Sequence, residues 1–201
     1  AVLFASALAA QQAIATVFGS TVNGQTGYLV AGARDMDGDT VPDFLVTSPY
    51  VGNGLLQIIS GATRTARNIP NTVVGSSWAT SILISTDDMN LDGVRDLVIN
   101  RGEQLVALSG ANGTLLWQTA GIGFEAATSV GDLDLDGRSD LAVVARVNSN
   151  SYLWTLRGSN GTQLQAYAPS LNGFTTSLVN LGDIDNDGKP EVARAFGSGP
   201  E

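Results

Sequence analysis

Twenty residues of this 201-residue chain have the types and spacing to hold a hard cation. They fall in four segments that repeat one phrase: DMDGDTVPD from Asp35, DMNLDGVRD from Asp88, DLDLDGRSD from Asp132 and DIDNDGKPE from Asp183. Counted from the first Asp, positions 1, 3, 5 and 9 carry side-chain oxygens and position 7 offers a backbone carbonyl. The candidate ligands are therefore Asp35, Asp37, Asp39, Val41 and Asp43; Asp88, Asn90, Asp92, Val94 and Asp96; Asp132, Asp134, Asp136, Arg138 and Asp140; and Asp183, Asp185, Asp187, Lys189 and Glu191. Alternate residues of a tight loop can aim their oxygens at one centre, and Ca²⁺ takes about six to eight such oxygens. The expected cofactor is calcium, up to four ions. Magnesium, which demands a stricter geometry and gives up water reluctantly, suits such a carboxylate-rich cage less well.

The four loops differ in quality. Gly93, Gly137 and Gly188 occupy position 6, where a sharp turn resists a side chain, but Thr40 stands there in the first loop. The third loop matches the pattern best. The second replaces one charge by the neutral oxygen of Asn90, the fourth ends in the longer Glu191, and the first is expected to be weak or distorted. An EF-hand would need flanking helices and a Glu at position 12, but Val46, Ile99, Val143 and Arg194 stand there, in strand-like runs.

Charge leads to the same chemistry. Of 19 acidic residues, 15 sit at these ligand positions, so the formal net charge of -9 is almost wholly the loops' own. Clustered carboxylates repel one another unless they are protonated or neutralised by a cation. Four calcium ions would bring -9 to -1. The chain has no Cys and no His, which removes disulfides, thiol nucleophiles, Ser-His-Asp triads and the usual zinc sets. With one lysine and scattered arginines it has no basic stripe for a phosphate backbone, and nucleic acid is not an expected partner.

The elements that position the loops repeat with them. The four phrases start 53, 44 and 51 residues apart, close to what four short strands and their turns require. Upstream of each lies an aromatic residue followed by a short run: Tyr28 after Gly27, Trp78 after Ser77, Phe124 after Gly123 and Phe174 after Gly173. Downstream come the runs 44–47, 97–99 and 141–145, a turn, and a third run that closes on Gly61, Gly110 or Gly158. Asn112-Gly113 and Asn160-Gly161 then signal hairpins into a fourth strand at 115–118 or 164–167. Helical periodicity is absent at length. The expected unit is a four-stranded antiparallel meander, and the fourth copy reaches Glu201 soon after its second strand, so further units are expected beyond it.

Residues 1–15 form an uncharged run of small and apolar residues, with Ala7-Leu8-Ala9 in the form of a signal-peptidase site. Residues 1–10 are assigned to the remnant of a secretory signal and 11–201 to the repeat domain. The run is too short to span a bilayer, and no later segment is long enough.

These features resemble the FG-GAP repeats of integrin-α N-terminal propellers and the related bacterial FG-GAP or VCBS repeat proteins. Asp132 to Leu141 matches the family phrase best, Thr47-Ser48-Pro49 stands where the family has Gly-Ala-Pro, and Phe18-Gly19 is a literal Phe-Gly. The resemblance implies an all-β fold, a β-propeller of four-stranded blades, here an incomplete ring of about four. It places calcium between the first and second strands of each blade. It also implies that a protein or carbohydrate ligand outside the cell binds the opposite face, which carries Tyr50, Asn53, Arg101, Arg146, Asn148 and Asn150. The leading expectation is a secreted, non-catalytic binding or adhesion module. The alternative is part of a polysaccharide lyase or hydrolase, for which Glu103, Glu125, Asp87 and the face's arginines are the available groups. Trp78, Trp117 and Trp154 are expected to pack between blades, Asn112 and Asn160 to serve hairpins, and Arg64 and Arg67 to be surface charge.

Overall fold

The computed structural model describes residues 19, 21–52, 54–69, 82–148, 150–167 and 174–197. The run 1–15, Phe18, Asn53, Ser77 and Trp78 lie outside the described residues. All regular structure among the described residues is β. The first unit consists of β1 (Val30–Gly32), β2 (Phe44–Ser48), β3 (Leu55–Ile59) and β4 (Ala66–Ile69). The second holds β5 (Leu83–Ser85), β6 (Leu97–Arg101), β7 (Gln104–Leu108) and β8 (Leu115–Gln118). The third holds β9 (Phe124–Gly131), β10 (Asp140–Val147), β11 (Asn150–Leu156) and β12 (Gln163–Ala166), and the fourth β13 (Phe174–Gly182) and β14 (Glu191–Gly197). Each unit is an antiparallel sheet whose neighbours follow chain order, and none of the sheets closes on itself. No helix among the described residues is long and apolar enough to cross a membrane.

The second strands read as continuous apolar runs because both of their faces are buried. Successive side chains of a strand point to opposite faces, and β6 sends Leu97 and Ile99 into a cluster with Leu45, Leu56, Ile58 and Ile69 of the first unit. Val98 points the other way, into a cluster with Phe124, Leu141, Val143 and Ala145 of the third. β10 repeats the arrangement, with Ala142 and Val144 meeting Leu178 of the fourth. The sheets are thus stacked face to face like blades. The first strands lie innermost, with β5 packed between β1 and β9 and β9 against β13. Their loop-side ends, at Gly32, Ser85, Ser129 and Asn180, line one cavity of about 380 Å³. This is an incomplete β-propeller.

The blades are also stitched by polar contacts from one equivalent place. Arg67, paired with Ile58, and Trp117, paired with Ala107, each face the residue three before their unit's closing glycine. Arg67 donates to Gly110 O at 2.6 Å and Ala111 O at 2.9 Å, and Trp117 Nε1 donates to Gly158 O at 2.6 Å. Trp117 packs between blades as its strand position implied. Arg67 is not plain surface charge: it ties the outer strand of one unit to the hairpin of the next.

Two local details sharpen the sequence reading. Tyr28 is exposed and precedes β1, which begins only at Val30, whereas Phe124 is buried and opens β9. The Asn-Gly pairs sit in hairpins, as expected, within six-residue loops at 109–114 and 157–162. Asn112 and Asn160 accept the N–H of the Thr two residues on, both at 2.9 Å, and Gly113 and Gly161 supply the positive φ.

Candidate metal centre

All four Asp segments lie between the first and second strands of their units, and one hydrogen-bond scheme builds them all. The position 1 carboxylate takes the N–H of position 6: Thr40 to Asp35 and Gly93 to Asp88, each 2.8 Å, Gly137 to Asp132, 2.8 Å, and Gly188 to Asp183, 2.9 Å. The N–H of position 5 reaches the side-chain oxygens of positions 1 and 3 at 3.0 to 3.3 Å in every loop. The N–H groups of Val41, Val94, Arg138 and Lys189 at position 7 donate to the position 5 carboxylate at 2.8 to 3.0 Å. The backbone is thereby wound so that the carboxylates share one side.

The consequence is convergence. Carboxylate oxygens of Asp35, Asp37 and Asp39 lie within 4.8 Å of one another, as do those of Asp132, Asp134 and Asp136, and those of Asp183, Asp185, Asp187 and Glu191. In the second loop Asn90 takes the middle place, its Oδ1 accepting from Asp92 N at 3.0 Å and its Nδ2 donating to Asp92 Oδ2 at 2.9 Å. Partial desolvation pushes the Asp92 carboxyl up, but hydrogen bonds from the Asn90 amide, the Val94 N–H and the Ser109 hydroxyl outweigh it and hold the group below its usual range. Converging hard anionic oxygens fit a calcium ion and suit no softer metal as well.

The position 9 acids have a structural duty that spacing does not disclose. Asp43 takes Met36 N at 2.8 Å and Gly61 N at 2.9 Å; Asp96 takes Met89 N at 2.7 Å and Gly110 N at 3.0 Å; Asp140 takes Leu133 N and Gly158 N, both at 2.8 Å. Glu191 likewise takes Ile184 N at 2.8 Å. Each acid fastens the head of its loop, and the three Asp residues also fasten the closing glycine of the third strand. Asp43, Asp96 and Asp140 are buried. Burial raises the Asp96 carboxyl to about 6 against the hydrogen bonds from Met89 and Gly110, with the charges of Asp92 and Asp88 adding to the rise. Burial also raises Asp140.

Positive φ recurs at two places in each loop. Position 6 holds Thr40 at 70°, Gly93 at 85°, Gly137 at 85° and Gly188 at 87°. Position 4 holds Gly38 at 86°, Leu91 at 64°, Leu135 at 62° and Asn186 at 60°. The first loop thus has its glycine two residues early and forces a β-branched residue into the left-handed region at position 6, a conformation that costs L-residues roughly 1–2 kcal/mol. Its hydrogen bonds nevertheless match those of the others. Thr40→Gly is expected to raise stability by about 1 kcal/mol, less the entropy a glycine adds to the unfolded chain. Thermal melting checks this, and a lower midpoint for the variant would show that Thr40 is not strained.

Two of the acids considered for catalysis, Asp87 and Glu125, have side-chain partners in the fold. Asp87 forms an ion pair with Arg95. Glu125 accepts from Arg146 Nη1 at 3.1 Å, Ser151 Oγ at 3.0 Å and, across to the fourth unit, Thr175 N at 2.8 Å.

Stacked antiparallel sheets, each with an acidic loop at the same corner, define a blade-repeat protein. Comparison with protein families gives a match to the FG-GAP-like repeat over residues 132–193, which takes in the third and fourth loops and the strands between them. Over that stretch the chain is similar to an FG-GAP-like repeat. No curated protein matches it.

Proposed function

We propose that the chain is a calcium-stapled, non-catalytic repeat module that works outside the cell and binds a protein or carbohydrate through the face opposite its Asp loops. The observation that carries the calcium reading is the convergence of loop carboxylates within 4.8 Å at the same corner of three units, with the second loop built on the same hydrogen bonds around Asn90. Nothing else in the loops neutralises that much charge: among the described residues only Arg157 pairs with a loop carboxylate. The ion would draw on the side chains at positions 1, 3, 5 and 9 and the carbonyl at position 7. It would replace mutual repulsion by shared attraction and fix the turn between the two inner strands of each blade.

The FG-GAP-like repeat, typical of extracellular proteins, supports the location. Topology supports the choice of face. The loops and the hairpins at 109–114 and 157–162 occupy one end of the sheets, so the turns after the second strands occupy the other, with Tyr50, Arg101, Arg146, Asn148 and Asn150 at or beside them. Tyr50 is 65% exposed there. An aromatic ring among amide and guanidinium groups suits sugar or peptide recognition.

Calorimetric titration of EDTA-stripped protein tests the calcium reading. Calcium should bind at up to four sites, with dissociation constants of roughly 10⁻³ M or tighter, and magnesium more weakly. Absence of binding heat at millimolar calcium would sink it.

A further inference from the structure

The residue before each closing glycine touches the Asp loop of its own unit, and its chemistry changes along the chain. In the first unit Ser60 Oγ donates to Asp39 Oδ2 at 3.3 Å, and in the second Ser109 Oγ donates to Asp92 Oδ2 at 3.1 Å. In the third the residue is Arg157, whose Nε donates to Asp134 Oδ2 at 2.5 Å. A hydroxyl leaves the charge of its loop unchanged. A guanidinium cancels one negative charge and occupies an oxygen of the carboxylate cluster formed by Asp132, Asp134 and Asp136.

We propose that Arg157 is an internal counter-cation of the third loop, holding Asp134 in place without metal and lowering the loop's affinity for calcium. The proposal rests on the calcium reading above. Two cations of like sign cannot both sit against Asp134 without repulsion, so a calcium ion that uses this carboxylate fully must displace the arginine. The displacement is sterically open because the Arg157 side chain is 38% exposed. Its backbone stays put: Arg157 N donates to Thr162 O at 2.8 Å, and the adjacent Gly158 is held by Asp140 and Trp117. Only the side chain needs to swing into water. The same pair offsets repulsion among the three carboxylates when the ion is absent, so the loop with the best ligand spacing is also the one least dependent on metal for its shape.

The test compares the whole chain with its Arg157→Gln, Arg157→Ser and Arg157→Lys variants, by calorimetric calcium titration and by melting in EDTA. Gln and Ser remove the charge, Ser being the residue of the first two units, and Lys keeps the charge. One site should tighten by roughly three- to fivefold in the Gln and Ser variants, the upper part of the range expected for releasing a partly exposed ion pair, and stay within about twofold of the parent in the Lys variant. In EDTA the Gln and Ser variants should melt a few degrees below the parent, and with saturating calcium they should not. Unchanged or weaker calcium binding by both neutral variants, in a parent that binds calcium, overturns the proposal and leaves the calcium reading intact. A parent that binds no calcium overturns both, and its own titration identifies that case.

Discussion

At neutral pH the calcium-saturated protein should melt roughly 20 °C above the EDTA-treated protein, and the gap should narrow as the pH is lowered towards about 5. An ion that binds only the folded state stabilises it by about 2.7 kcal/mol per site at a hundredfold excess over its dissociation constant. Four such sites contribute on the order of 10 kcal/mol, and for a chain of this size each kcal/mol moves the midpoint by roughly 2–4 °C. The contributions add because the units cannot melt singly: Leu97 and Ile99 share a cluster with the first unit while Val98 shares one with the third. An EDTA-indifferent midpoint would sink the prediction.

The narrowing has two sources of opposite sign. Calcium needs ionised carboxylates, so the loaded protein loses stability as protons compete for the ligands. The metal-free protein gains. Asp96, raised by burial to about 6 from an ordinary 3.8, binds its proton more tightly folded than unfolded. Its contribution to stability therefore grows as the pH falls through 6, is complete below 3.8, and is lost as the pH rises again; it is on the order of 2–3 kcal/mol. Asp140, raised by burial, acts in the same direction. Asp35 acts in the other, since the N–H of Thr40 holds its carboxyl below 3.8, so its stabilising effect is lost only below that value and does not oppose the rise between about 4 and 6. Melting curves in EDTA that fall steadily from about pH 7 to 5 would refute the burial argument for Asp96.

Much of this was legible in the chain because repetition exposes it. The spacing of the Asp phrases fixed the loops between first and second strands, and the runs at 97–99 and 141–145 marked the second strands themselves. What stayed hidden depends on contacts between residues far apart in sequence. Asp96 looks like one more ligand until the N–H of Gly110, 14 residues on, is found on its carboxylate. Arg67 looks like surface charge until it meets Gly110 O, 43 residues away. Leu91 and Leu135 give no sign of their left-handed backbone, since leucine rarely adopts it and the loop's hydrogen bonds impose it. Arg157 was visible as the departure from Ser in the closing Ser-Gly pair, but its partner was not, because Asp134 lies 23 residues upstream.

Gly158→Ala should cost at least about 4 kcal/mol, far more than Gly137→Ala in the adjacent loop. A β-carbon at Gly158 would stand 1.7 Å from Ser139 O and 2.8 Å from Ser139 C, backbone atoms that cannot rotate aside. The same contact recurs at Gly110, 1.7 Å from Arg95 O, and at Gly61, 1.9 Å from Pro42 O. In all three units the closing glycine lies on the carbonyl of loop position 8 so that its N–H can reach the position 9 carboxylate. Restoring an ordinary contact near 3.4 Å requires the third strand to move by more than an ångström. That shift breaks the 2.8 Å bond from Gly158 N to buried Asp140 and the 2.6 Å bond from Trp117 to Gly158 O, so the damage reaches the interface with the second unit. At Gly137 a β-carbon meets nothing within 4 Å, and the penalty is conformational, for a φ of 85°, at roughly 1–2 kcal/mol. Urea unfolding in saturating calcium separates the two, and equal midpoints for the variants would show that the third strand is free to shift off its loop. The glycine that ends each third strand thus sets how closely the strand approaches the loop, and through Asp140 and Trp117 it links the geometry of a candidate calcium site to the packing of neighbouring blades.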